Sequence, residues 1–111
     1  MAFDALEVAV QIAAELRVPL EKIQRRDRDL AGQLRRATSS VALNIGEARR
    51  RDGKDRVHLF RVAAGSAAEV RTGLALAEAW GYLGAVELES VRSLLDRQLA
   101  MLWRLTHQRR A

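Results

Sequence analysis

Few residues in this 111-residue chain could act in catalysis or bind a metal ion. The chain contains two histidines, no cysteine and 14 acidic residues. Asp55 and His58 are three residues apart, as in one half of a Glu-x-x-His metal motif, but a di-iron bundle needs two such pairs and two further glutamates. A carboxylate near a helix start is more typical of an N-terminal cap. The sequence therefore predicts no metal, no cofactor and no enzymatic activity.

Basic residues form a second candidate site, and they are unevenly distributed. The formal net charge is +5, and residues 22–61 alone contain twelve basic and five acidic residues. Guanidinium groups bind phosphate oxygens well, and no aromatic residue is interleaved among them to stack on bases. A phosphate-binding tip is predicted from Arg49, Arg50, Arg51, Lys54 and Arg56, joined by Arg25, Arg26 and Arg28.

Two functions are compatible with this charge. In the first, the protein binds the phosphate backbone of RNA or DNA without reading its sequence. In the second, the arginines only keep an oligomeric scaffold soluble or reflect genomic composition, and the partner is another protein. The positive residues cluster instead of alternating evenly with acids, which favours the first function.

A polar stripe runs beside the apolar stripe of segment 30–51. Leu30, Leu34 and Val41 belong to a series with steps of three or four, which predicts the buried face of a helix. One edge of that face is polar: Gln33, Arg36, Ser40, Asn44, Glu47 and Arg51. Such groups need hydrogen-bond partners, which either a structural network or a ligand or second subunit would supply. Complementary charge predicts a pair between Arg36 and Glu69.

These side chains require a helical scaffold, and the sequence predicts one. A single proline and many strong helix formers favour an all-α chain, and the few aromatics favour an aliphatic core. Four helices are expected at about residues 4–17, 29–50, 55–80 and 85–107. Val18-Pro19 is expected to end the first, because a residue before proline avoids the α region. The predicted fold is a single domain of residues 1–111, an antiparallel up-down four-helix bundle.

Aspartate and glycine residues mark the expected helix ends. Asp27 or Asp29 is expected to cap the second helix, and Gly53 and Gly81 are expected to stop the second and third. Gly65 instead lies inside the third helix, where glycine costs about 1 kcal/mol relative to alanine. The close approach of a neighbouring backbone is the expected compensation.

The first and last predicted helices are apolar over a wider arc than a solitary small bundle needs. The excess predicts a homo-oligomer surface on these two neighbouring helices, formed by Val8, Ile12, Leu94, Met101 and Leu105. No run of 18 or more uncharged apolar residues is present, so no membrane span is expected. The N-terminus lacks the basic start and apolar block of a signal peptide, which predicts a cytoplasmic location.

Two groups of residues resemble the signatures of the 23S ribosomal RNA intervening-sequence protein family. The central signature is Gln33-Leu34-Arg35-Arg36-Ala37 with Ser40-Val41, Asn44-Ile45 and Glu47. The second is Ala63, Gly65-Ser66, Glu69, Thr72 and Leu74, followed by Gly81-Tyr82-Leu83. The chain departs from the family pattern at Ala42, Gly46, Ala48 and Gly73.

This resemblance implies an antiparallel four-helix bundle that assembles as a ring-like homopentamer. The family is also similar to the accessory variability proteins of diversity-generating retroelements, which implies RNA or DNA and a reverse transcriptase as candidate partners. No catalytic residue is established for the family. Five signature residues carry over without an assigned role: Arg36, Asn44, Glu47, Ser66 and Glu69. The sequence thus predicts a non-enzymatic, oligomeric nucleic-acid-binding accessory module, with an oligomeric protein–protein scaffold as the alternative.

Overall fold

A computed structural model describes residues 4–108, and these residues form four α-helices. They are α1 (Ala5–Arg26), α2 (Arg28–Ala48), α3 (Gly53–Ala79) and α4 (Ala85–Thr106). Each helix packs against its neighbours in the chain, and α1 also packs against α4. Short connections between consecutive helices make these neighbours antiparallel. The predicted all-α, antiparallel four-helix bundle is therefore confirmed.

The first helix is longer than predicted, because it continues through Pro19. A proline inside a helix removes one backbone hydrogen bond and costs about 3 kcal/mol. Leu16, Leu20 and Ile23 are buried on one continuous side of α1, and Pro19 itself is buried with them. Burying such side chains contributes about 1.5–3 kcal/mol each, which offsets the proline. The predicted end at residue 17 was wrong, and residues 18–26, which were expected to lie between the first two helices, form the last turns of α1.

A single residue, Asp27, joins α1 to α2. Its backbone N–H donates to the carbonyl of Ile23 at 2.7 Å, and its side chain accepts from the N–H of Leu30 at 2.9 Å, which confirms it as the cap of α2. The Tyr82 hydroxyl donates to the same carboxylate at 3.1 Å. The pKa of the Tyr82 hydroxyl is raised mainly by desolvation and, to a smaller extent, by this hydrogen bond. Asp27 thus ties the α1–α2 corner to the α3–α4 connection.

Gly81 stops α3 as predicted, but Gly53 does not stop α2, because α2 ends at Ala48 and Gly53 is the first residue of α3. Gly53 and Gly81 have φ angles of +59° and +78°. The N–H groups of Gly81 and Tyr82 donate to the carbonyls of Glu78 and Ala77, at 3.0 and 2.9 Å, which is the Schellman pattern. None of the helices between residues 4 and 108 combines the length and apolarity needed to cross a membrane.

Gly65 does not have the close contact that the sequence predicted, and Gly73 does. A Cβ atom placed at Gly65 would have no neighbour within 4 Å. A Cβ at Gly73 would overlap Cδ2 of Leu34 and lie 3.1 Å from its Cγ. Gly73 therefore lets buried Leu34 of α2 pack against the backbone of α3.

Candidate nucleic-acid interface

The basic residues that were predicted to form one tip lie at opposite ends of the bundle. Arg25, Arg26 and Arg28 flank the α1–α2 corner, whereas Arg49 to Arg51 follow the end of α2. The 21 residues of α2 span about 30 Å at 1.5 Å per residue. The two groups cannot contact one phosphate segment together. The prediction of a single tip was wrong, because the two groups lie at opposite ends of α2.

We call the end that carries Arg49 the basic end. Helix α3 begins and helix α4 finishes there, and a cleft of about 580 Å³ between them is bordered by Lys54, Arg56 and Arg61. Arg104 of α4 lies at the same end, since it lines a pocket together with Arg49 and Arg56. The basic end therefore comprises Arg49, Arg50, Arg51, Lys54, Arg56, Arg61 and Arg104.

In the described part of the chain, most cations of the basic end have no carboxylate partner. Arg49 lies 3.5 Å from Asp4, and Arg51 contacts Glu47 through two nitrogens at 3.0 and 3.2 Å. Within residues 4–108, no ion pair involves the other five: Arg50, Lys54, Arg56, Arg61 and Arg104. Unneutralised charges of one sign at one end create a positive potential that attracts polyanions.

The opposite end, which we call the far end, is closer to neutral. At the far end, residues 21–29 contain four basic and three acidic residues. At the basic end, residues 49–61 contain six basic and two acidic residues. Lys22 pairs with Glu87 at 2.6 Å. Hydrogen bonds from Lys22 and from the N–H of Gly84 lower the pKa of Glu87. The Arg26 guanidinium lies over the Tyr82 ring, 5.4 Å from its centroid. Much of the charge at the far end is therefore engaged within the protein.

An aromatic pair at the basic end was missed by the sequence analysis. Trp103 and His107 stack with ring centroids 4.3 Å apart and planes 12° apart, and Trp103 is 61% exposed. Trp103 lies on the last turn of α4 and His107 is its C-terminal cap, so both are at the end of the bundle where α3 begins. The i,i+4 spacing of two aromatic rings was the available signal. Trp103 and His107 reach this end through the fold, from a part of the sequence distant from the basic segment, so the sequence observation that no aromatic is interleaved among the arginines still holds.

No metal-binding group is evident in the described part of the chain. Between residues 4 and 108, no three His, Cys, Asp or Glu side chains are grouped so that they could hold a metal ion. Asp55 and His58, the pair considered from sequence, are both exposed on the first turns of α3.

The polar stripe of α2 forms a hydrogen-bonded contact with α3. The Ser40 and Ser66 hydroxyls lie 2.8 Å apart, and the Asn44 amide donates to the Ser40 carbonyl at 2.8 Å and to its hydroxyl at 3.0 Å. Arg36 and Glu69 are both exposed, and no ion pair joins them. That predicted pair was wrong, because the Arg36 side chain runs back along α2 towards Gly32.

Two residues of the predicted oligomer surface lie in the interior. Val8 and Ile12 are buried, because α1 packs against both α2 and α4 and both apolar faces are covered within one chain. Their assignment to an oligomer surface was therefore wrong. Leu94, Met101 and Leu105 are half-buried against the core. Exposed apolar side chains lie on all four helices, and on α3 they are Val62 and Leu76, with Trp80 at its C-terminal cap.

Comparison with known proteins places this fold and these signatures in a family. A model of the 23S rRNA-intervening sequence protein family matches residues 3–104. A comparison with curated proteins gave no match. Among solved structures, a protein with unknown function from the S23 ribosomal protein family of Bacteroides thetaiotaomicron is similar in fold. It has a TM-score of 0.85 and 17% identity, and the match covers 94% of this chain and 99% of that one. The family model covers nearly the whole chain, and on that ground the chain belongs to the 23S rRNA-intervening sequence protein family.

Proposed function

We propose that the protein is a non-enzymatic module that binds nucleic acid through the basic end, by sequence-independent contacts to phosphates. The observation that carries the proposal is a group of five cations that have no carboxylate partner within residues 4–108, contributed by the α2–α3 turn, α3 and α4. Phosphate contacts from Lys and Arg release counterions, and this release drives sequence-independent binding. An RNA- or DNA-processing enzyme, such as a reverse transcriptase, is the partner class that this accessory role implies.

Trp103 adds a second kind of contact to this surface. An exposed indole ring at the same end of the bundle as these cations can stack on an unpaired base, and such stacking contributes about 1–3 kcal/mol per base. Stacking tolerates any base, so it strengthens binding without making it sequence-specific. The proposal therefore favours single-stranded over duplex nucleic acid.

The salt dependence of binding tests this proposal. Fluorescence anisotropy with a labelled mixed-sequence RNA or DNA single strand should show a logarithmic salt slope of about −3 to −4, as expected for five phosphate contacts. Scrambling the sequence should change the affinity little. An absence of binding near physiological salt would refute the proposed function.

We also propose that the protein self-associates through a stripe that follows the α2–α3 groove. On α3, Val62, Ser66, Glu69, Gly73, Leu76 and Trp80 are spaced alternately by four and three residues. This spacing places them along one side of the helix. Val62, Leu76 and Trp80 are 37%, 40% and 56% exposed, so a second copy could still bury them. The homopentamer implied by the family resemblance is the expected assembly.

Charged residues in this stripe should dissociate the oligomer. We expect the double variant Val62→Glu, Leu76→Glu to sediment as a monomer at micromolar concentration, because two carboxylates would lose their hydration in the interface. Val86→Glu is the matched control, since Val86 is 79% exposed on α4 and lies outside the stripe. Sedimentation velocity of wild type and both variants provides the measurement. An unchanged oligomer in the double variant, or a monomeric wild type, would contradict this interface.

A protein–protein scaffold is the second candidate function, and the far end favours it. Trp80 stacks edge-on with Tyr82 at 5.9 Å and is more than half exposed, and Val86 lies on the first turn of α4 at the same end. Exposed aromatic rings are enriched at the centres of protein interfaces. A partner captured in high salt after nuclease treatment, and lost with Trp80→Ala, would support the scaffold.

A further inference from the structure

A pocket opens into the core of the bundle at the basic end. Its volume is about 420 Å³, and all four helices contribute to its lining. Its most buried lining residues are Ile45 and Phe60, which belong to the hydrophobic core. Apolar side chains complete the walls: Ala5, Leu6, Met101 and Leu105. The size lies within the range of small-molecule sites, which is about 300–1,000 Å³.

The polar residues of this pocket are predominantly cationic. Arg49, Arg56 and Arg104 line it, and Asp4 is its one lining carboxylate among residues 4–108. Asp4 lies 3.5 Å from Arg49. Arg56 lies over the Phe60 ring at 5.1 Å from the centroid, and neither Arg56 nor Arg104 has a carboxylate partner in the described chain. The pocket therefore carries two positive charges in excess beside an apolar interior.

We propose that this pocket binds a small amphipathic anion, with a hydrocarbon body in the interior and a carboxylate or phosphate group against the arginines. Guanidinium groups form charge-assisted, often bidentate hydrogen bonds with either head group. The lining fits a hydrocarbon better than a nucleobase. Among residues 4–108, its polar side chains are the three arginines, Asp4 and Gln108, and Ile45 and Phe60 offer no partner for the polar edge of a base. The proposal does not depend on nucleic-acid binding.

Isothermal titration of the full-length protein with three probes of equal chain length tests the proposal. Decanoate and decyl phosphate carry the two candidate head groups, and decanol is the neutral control, all kept below micelle-forming concentrations. We expect at least one anion to bind once per chain and decanol to bind about tenfold more weakly, as the loss of a charge-assisted hydrogen bond predicts. The tighter anion identifies the head group. Decanol binding as tightly as both anions, or no saturable binding of either anion, would overturn the proposal.

Two variants locate the site, and a third serves as the matched control. Arg104→Gln removes one cation from the pocket and should weaken binding of the preferred anion about tenfold. Leu6→Trp fills the interior and should abolish binding. Arg61→Gln removes a cation at the same end that borders the neighbouring α3–α4 cleft, and it should leave anion binding within about twofold. Equal effects of Arg104→Gln and Arg61→Gln, or anion binding retained in Leu6→Trp, would overturn the proposed site.

The same variants separate this proposal from the proposed nucleic-acid function. Arg61→Gln should weaken oligonucleotide binding, whereas Leu6→Trp should leave it unchanged. Thermal unfolding by circular dichroism establishes that each variant is folded, and Arg104→Gln keeps the test valid if Leu6→Trp does not fold, because Arg104 is exposed. If neither anion binds while the oligonucleotide still does, the proposed anion site is refuted and the proposed nucleic-acid function is not.

Discussion

Alanine at Gly73 is expected to destabilise the protein by about 1–2 kcal/mol, whereas alanine at Gly65 is expected to stabilise it by about 0.5–1 kcal/mol. Both glycines lie inside α3, so alanine improves helix propensity equally at both positions. Only at Gly73 would the new methyl group overlap the buried Leu34 side chain. Urea unfolding at one fixed protein concentration measures both changes, since self-association would make stability depend on concentration.

A double-mutant cycle tests whether the overlap with Leu34 is the cause. Leu34→Ala alone should cost about 2–5 kcal/mol through the cavity that it leaves. In the combined variant Gly73→Ala, Leu34→Ala, the new methyl group meets no leucine, so its cost should disappear. The double variant should then be more stable than additivity predicts, by about 1–3 kcal/mol. Additive effects, or a stabilising Gly73→Ala, would show that Leu34 can move aside freely.

The difference between these glycines shows what the sequence could not predict about helix packing. Both residues interrupt an otherwise favourable helix, and Gly65 belongs to the family signature whereas Gly73 departs from it. Periodicity places Leu34 on the buried face of α2, but the height at which α2 meets α3 depends on the length of the turn and on side-chain packing. Only the three-dimensional structure shows that Leu34 lies opposite Gly73.

The helices themselves were largely predictable, because apolar spacing and end signals agree. The predicted bounds of α2, α3 and α4 lie within two residues of those observed. The capping residue Asp27 and the stop at Gly81 were also predicted, since each satisfies backbone groups at a helix end. The end of α1 was not predicted correctly. The tendency of a residue before proline to avoid the α region favoured a stop at Val18, but the burial of Leu20 and Ile23 keeps this segment helical.

The candidate interface was predictable in composition but not in arrangement. Charge counting identified the arginine-rich middle of the chain correctly, but Arg25, Arg26 and Arg28 adjoin the start of α2 whereas Arg49 to Arg51 follow its end, so the length of α2 separates the two groups. Conversely, Arg104 and Trp103 are distant in sequence and reach the basic end because α4 runs antiparallel to α3. Chain topology, which a linear charge profile does not contain, therefore determines which cations can act together.

Replacing three unpaired cations of the basic end is expected to weaken nucleic-acid binding by about tenfold or more near physiological salt. The variant is Arg50→Gln, Lys54→Gln, Arg61→Gln, and none of these residues forms an ion pair within residues 4–108. Loss of three phosphate contacts should also reduce the magnitude of the salt slope by about 2. Anisotropy titrations at several salt concentrations measure both quantities. Stability should change little, because all three side chains are exposed.

The far end supplies the matched control for this variant. Arg25→Gln, Arg26→Gln, Arg28→Gln removes the same three charges, so both variants fall from a formal net charge of +5 to +2. The two groups are separated by the length of α2, about 30 Å, which exceeds the screening length of about 8 Å at physiological salt. If the interface is confined to the basic end, nucleic-acid affinity should fall strongly in the basic-end variant and only slightly in the far-end variant. Equal losses would mean that binding follows net charge alone, and unchanged binding in the first variant would exclude the basic end as the nucleic-acid surface.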